Sequence, residues 1–178
     1  MGIKSFRDLY HKQLARLYAT AFNGTLLLPF LRRAASCPEL AAALDEDQGM
    51  ATEQTDRLSL LLPVIPRSAP IPMSITSLFR NCLMLGRYEE LSKDARDAAL
   101  VDLVRRVRHD QIAGLSSART WARAMQDTNA VEILDECLRE ERQSDERLDA
   151  IGDQCCRRAI SCCARSAGES FCGQVAHA

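Results

Sequence analysis

Three carboxylates pose the first chemical question. Glu136, Glu140 and Glu141 stand in the stretch from Ile133 to Gly152, whose apolar residues Leu134, Leu138, Leu148 and Ile151 recur at helical spacing. Glu141 lies one heptad after Leu134 and one before Leu148, so it falls in the middle of the apolar stripe. Glu140 is its neighbour, one turn from Glu136 and Cys137. A carboxylate on a core-facing stripe is costly unless a metal, a cation or a hydrogen-bond network compensates it.

The eight cysteines are the second chemical resource. Cys37, Cys82 and Cys137 are scattered within helical segments and read as small buried hydrophobes or reduced surface thiols. Five crowd toward the C-terminus, where Cys155-Cys156 and Cys162-Cys163 form a CC-x5-CC pattern. In a helix these pairs stack two turns apart, about 10.5 Å along the axis, too far for one ion to bind all four without unwinding. The spacing matches no ordinary zinc module. Loose reduced thiols are the expected state, with a soft-metal or oxidant response as the competing one. Other arrangements are missing: no Ser/His/Asp or Cys/His pair is supported by spacing, and there is no glycine-rich phosphate loop.

Periodicity predicts the elements that position these groups. A first helix is expected from about Ser5 to Ala35, with Leu14, Leu17, Tyr18, Leu28 and Leu31 inward, Ala21 at the centre of the stripe, and Gly24 and Pro29 as sites of bending. A second is expected from Pro38 to about Leu62, with Ser36 or Cys37 near its cap and Pro38 in its first turn. Its inner face is apolar at both ends and carries Asp47, Met50 and Gln54 at the waist. The segment Pro63 to Pro72 cannot be regular helix or central strand, and reads as an extended crossover. A shorter amphipathic helix is expected from Ser74 to Leu91. The next long helix runs from Lys93-Asp94 to about Met125, and its inner face carries Arg108, one heptad from Val101 and Leu115, and Gln111, one heptad from Val104 and Ala118. After the break Asp127-Thr128-Asn129 comes the helix with the three glutamates.

The fold class expected is all-α: a ferritin-like four-helix bundle with a long crossover and one extra short helix. Residues 1–152 form the bundle, and residues 153–178 a Cys-rich C-terminal tail expected to be flexible. A chain of 178 residues suits one domain. A net charge of -1, acids interleaved with the basic patch Arg105–His109, and 5% aromatics argue against nucleic acid as a partner. No apolar run is long enough for a membrane span. The N-terminus has no apolar signal core, and Phe6 stands where a myristoylation pattern wants Ser or Thr. Reduced thiols and a cytoplasmic location are therefore expected.

Four segments carry a resemblance: IKSFRDLYHKQLARLY, LPFLRRAASCPELAAAL, DARDAALVDLVRRVRH and LDECLREERQSDERL, in that order from about Ile3 to Ile151. Together the chain resembles the YciE/YciF-type family of ferritin-like stress proteins. The resemblance implies a bundle whose waist binds two iron or manganese ions through carboxylates and histidines. Here the sequence departs from the family pattern. Ala21 stands at the first helix's Glu, Asp47 and Met50 at the second helix's His and Glu, and Arg108-His109-Asp110-Gln111 where the family reads Glu-His-Tyr-Glu. Only the last helix keeps its acids.

Ala and Met supply no oxygen donor, and Arg is a fixed cation. No metal or other cofactor is therefore expected; the residual candidate ligands are Asp47, His109, Glu136, Glu140 and Glu141, with iron or manganese as the alternative. In place of metals, Arg108 is expected to pair with Glu141 or Glu140 and with Asp47, while Gln111 and Gln54 satisfy leftover donors and acceptors. His109 reads as a boundary residue beside the stripe. The function expected is non-catalytic: a stress-associated binding or scaffold protein that self-associates and serves an unidentified protein partner. The alternatives are an iron- or manganese-dependent oxidase or peroxide-handling enzyme, and a thiol-based sensor acting through Cys155, Cys156, Cys162 and Cys163.

Overall fold

The computed structural model describes residues 4–63 and 92–172. Four helices account for most of them: α1 (Phe6–Ala34), α2 (Pro38–Ser59), α3 (Lys93–Ala124) and α4 (Thr128–Cys172). The expected crossover beyond Pro63 and the expected short helix, Ser74 to Leu91, lie outside the described residues.

Each helix begins where the chain supplies a partner for its free N–H groups. Ser5 caps α1 through a capping box: its hydroxyl accepts from Asp8 N–H at 3.1 Å, and the Asp8 carboxylate accepts from Ser5 N–H at 3.0 Å. Ser92 accepts from Ala95 N–H to start α3, and Asp127 from Ala130 N–H to start α4. Helix α2 has no side-chain cap of its own. The buried Asp97 of α3 supplies it instead, accepting from Ser36 N–H at 2.9 Å and Cys37 N–H at 2.7 Å. Helix α1 continues through Pro29, and between α3 and α4 the turn needs a left-handed residue, Gln126 at φ 59°.

Two apolar clusters hold the bundle, one at each end. The first joins Leu27 and Leu31 of α1, Leu40 and Leu44 of α2, Leu100 to Val104 of α3, and Leu148 to Cys155 of α4. The second joins Tyr10 to Ala21, Leu58, Leu115 to Ala122, and Ala130 to Leu138. Chain direction follows from this placement. Both α2 and α3 run from the first cluster to the second, so these two helices are parallel. Packed neighbours are α1 with α2, α3 with α4, α2 with α4, and α1 with α3; each pair is antiparallel. Parallel α2 and α3 among antiparallel neighbours is the helix order of a ferritin-like bundle.

At the C-terminal end the structure places helix where a tail was expected. Helix α4 runs unbroken through the boundary at 152–153 to Cys172. Gly152 is no stop: a Cβ there would come within 3.0 Å of Val101 Cγ1, so its bareness admits α3 at close range. Ile151 and Cys155 then bury against the first cluster and carry the helix onward.

Candidate functional site

Between the two apolar clusters lies a polar waist. Thr20, Asp47, Gln54, Arg108, Gln111, Glu141 and Ser144 are all buried there. Arg108 reaches in from α3 and forks: Nη1 donates to Glu141 Oε2 at 2.7 Å, and Nη2 donates to Asp47 Oδ2 at 2.5 Å. The guanidinium suits this position because its two terminal nitrogens diverge and each meets a different carboxylate. Ser144, one turn after Glu141, donates its hydroxyl to Asp47 Oδ1. Arg147 of α4 stands 3.7 Å from the same oxygen and pairs with Glu46.

Two acids share one cation, and burial acts strongly on Glu141. It pushes the Glu141 carboxyl up to about 7; Arg108 pulls against that rise and the neighbouring Asp47 adds to it. Arg108 Nε has no partner. A cavity of about 70 Å³ adjoins it, lined in part by Thr20, Ala21, Met50, Gln54 and Gln111, which is room for a few waters. Ala21 and Met50 thus border open space at the waist.

The other candidates are placed elsewhere. Glu140 turns to α2, where Arg57 Nη2 donates to both its oxygens at 2.8 Å and Gln54 Nε2 donates at 3.2 Å. Glu136 joins the same arginine at 3.0 Å. Gln111 stays out of the ion pairs and donates to the Leu17 carbonyl at 3.3 Å. His109 is 58% exposed and meets Asp145 at 3.0 Å, outside the waist. Cys155 is buried in the first apolar cluster, not loose, while Cys156 and Cys162 are exposed; the side chain of Cys163 lies outside the described residues. Cys137 is an inert core thiol, pushed up to about 12 by burial.

Periodicity misses Arg57 and Ser144, which answer acids of a neighbouring helix, and Asp97, which caps one. Arg57 carried a signal, being one turn before Leu61 on a helix that must face the glutamates. Arg105 pairs with Asp145 and Asp149, and Arg119 with Asp135, so the acids of α4 are met by arginines of α2 and α3 along its length. Among the described residues no group of three or more His, Cys, Asp or Glu side chains is arranged to hold a metal ion. No described helix is long and apolar enough to cross a membrane.

A four-helix bundle with parallel α2 and α3 and charged groups at its waist is of the ferritin-like class. The chain belongs to the family described as domain of unknown function DUF892, whose family model matches residues 5–161, and with it to the YciE/YciF-type ferritin-like proteins. The crystal structure of the Escherichia coli stress protein YciF is similar to 87% of this chain and 99% of its own, at 24% identity and a TM-score of 0.79. YcfI of Rhodopseudomonas palustris is similar over 83% and 94%, at 25% identity and a TM-score of 0.75. No curated protein matches the chain.

Proposed function

We propose that this chain is a ferritin-like bundle whose di-metal centre has been replaced by an internal ion-pair cluster. It serves as a non-catalytic, stress-associated binding or scaffold protein in the cytoplasm. The observation that carries the reading is Arg108. A permanent cation lies between Asp47 and Glu141, bonded to both, in the space where a metal pair would need anionic oxygen donors. The residues present do not fit two metal ions. Ala21 and Met50 offer no hard donor, Glu136 and Glu140 are engaged by Arg57, and His109 faces outward. The stress association rests on the likeness to YciF.

Self-association is part of the proposal. Phe22, Leu26 and Phe30 recur every four residues on α1 and are 43%, 54% and 64% exposed. Large apolar side chains aligned on one helix face suit a protein interface. The alternative is an iron- or manganese-dependent oxidase using the residual acids.

The deciding experiment is elemental mass spectrometry on protein purified from iron- and manganese-supplemented cells. The expected result is no iron or manganese above background in folded protein. Near-stoichiometric metal would overturn the reading and bring the oxidase forward.

A further inference from the structure

Cys37 and Cys155 come together at the end of the bundle where α2 begins. Both are buried free thiols of the same apolar cluster. One nitrogen serves both sulfurs: Arg158 Nη2 donates to Cys37 Sγ at 3.1 Å and to Cys155 Sγ at 3.5 Å. The sulfurs are therefore no further apart than those two bonds laid end to end. Arg158 is itself held by Asp94 at 3.0 Å.

The two thiols have different surroundings. Cys37 is the N-cap of α2, where the free N–H groups of the first turn favour an anion. Its S–H donates to Glu39 Oε2 at 2.8 Å, an exposed carboxylate that this bond holds below its ordinary range. Asp97 is the opposing charge, and its two oxygens are engaged by the N–H groups of Ser36 and Cys37. Ser36, Pro38 and Glu39 on either side of Cys37 are exposed, so the cover over the sulfur on that side is the chain leading into α2. Cys155 is wholly buried, and burial holds its thiol above the ordinary value. One sulfur lies beneath exposed chain, and the other is wholly enclosed behind it.

We propose that Cys37 and Cys155 are a reactive pair that reduces a hydroperoxide and closes into a disulfide joining the start of α2 to α4. In the first step the Cys37 sulfur attacks the peroxide, and its thiol proton goes to the leaving oxygen. An S–O bond forms, the O–O bond breaks, and the leaving oxygen takes a proton to depart as water or an alcohol. In the second step the Cys155 sulfur attacks Cys37. The S–S bond forms, the S–OH bond breaks, and hydroxide leaves with the Cys155 proton as water. Two thiols are oxidised and one hydroperoxide is reduced by two electrons. The exposed Cys156 is adjacent in sequence but about 100° away around the helix, so it does not compete for this position.

The test uses the full chain carrying Cys156→Ser, so that the tryptic peptide holding Cys155 has a single cysteine. Reduced protein is treated with hydrogen peroxide, remaining thiols are alkylated, and peptides are mapped. The expected product is one cross-linked species joining residues 34–57 to residues 148–157 within a single chain, absent before oxidation and lost on adding dithiothreitol. Both cysteines still open to alkylation, both oxidised without a cross-link, or either joined to a different cysteine would overturn the proposal. An Arg158→Gln variant tests the hold of the shared guanidinium on the two sulfurs. The cross-linked species should form severalfold more slowly, with the helical signal unchanged; an unchanged rate would overturn the role given to Arg158.

Discussion

Arg108 and Asp47 meet at 2.5 Å across the waist, their side chains 5% and 1% exposed. Each would be a costly burial alone, and each is held by the other together with Glu141. That dependence makes the waist sensitive to loss of one member and tolerant of losing all. Arg108→Ala leaves two buried carboxyl groups without their cation, and is expected to lower unfolding free energy by about 3–5 kcal/mol. The combined replacement Arg108→Met, Asp47→Leu and Glu141→Leu removes the three paired charges and adds apolar volume beside the waist cavity. It is expected to come within about 1–2 kcal/mol of the parent, in either direction. Chemical denaturation of both variants checks this, and equal loss in the two would show that packing, not pairing, sets the cost.

Glu141 makes stability depend on pH with an unusual sign. Its carboxyl is raised to about 7 in the folded chain, chiefly by burial, against an ordinary value of 4.5. Between those two values the folded state holds a proton that the unfolded state has released. The group therefore contributes most at low pH, and the contribution is lost as pH rises from about 4.5 through about 7. Each unit of raised pKa corresponds to about 1.4 kcal/mol. Denaturant midpoints measured from pH 5 to pH 8 for the parent and for Glu141→Gln should diverge in this window, the parent losing stability relative to the variant. Parallel curves would contradict it.

Asp97 caps a helix that is not its own. Its carboxylate accepts from the backbone N–H groups of Ser36 and Cys37, and it is almost fully buried. Asp97→Ala leaves two N–H groups without that partner, at an expected cost of about 1–3 kcal/mol. Asp97→Asn keeps one acceptor and should cost less. Hydrogen exchange at Ser36 and Cys37 should quicken in both variants, more in the alanine one. Unchanged exchange would mean that another group satisfies those donors.

The helices were legible because their signals are local. Ser5 with Asp8, Pro38, and the period of the leucines each act within a turn or two, and they mark starts and inward faces. Heptad spacing also put Arg108 and Glu141 on inward stripes, where both side chains are buried. Legibility ended wherever the answer came from a second helix. Whether Glu140 or Glu141 faces the waist depends on rotation about α4 by less than one residue's angle, and the pairing of Arg57 with Glu140 decides it. Asp97 capping α2 across 60 residues of chain leaves no trace in the local pattern. At the C-terminal end a run of Cys, Ser, Ala and Gly reads as a flexible tail, while Gly152 and Cys155 are small where α3 and the start of α2 pack closely on the last helix.

The exposed face of α1 bears on assembly. Phe22, Leu26 and Phe30 lie on one side of the helix, and Tyr18 stacks on Phe22 at 6.2 Å between ring centres. A charge in the middle of an apolar interface must be desolvated on association, so one or two substitutions suffice to oppose it. Phe30→Glu combined with Leu26→Glu should leave the bundle folded, because neither side chain belongs to either buried cluster. Sedimentation velocity of the parent is expected to show a dimer or larger species that dissociates with dilution, and the double variant should sediment as a single chain with the same helical circular dichroism. A parent that is already a single chain at every concentration would remove self-association from the proposed function while leaving the waist argument intact. An oligomer unchanged by the two charges would place its interface on another face of the bundle.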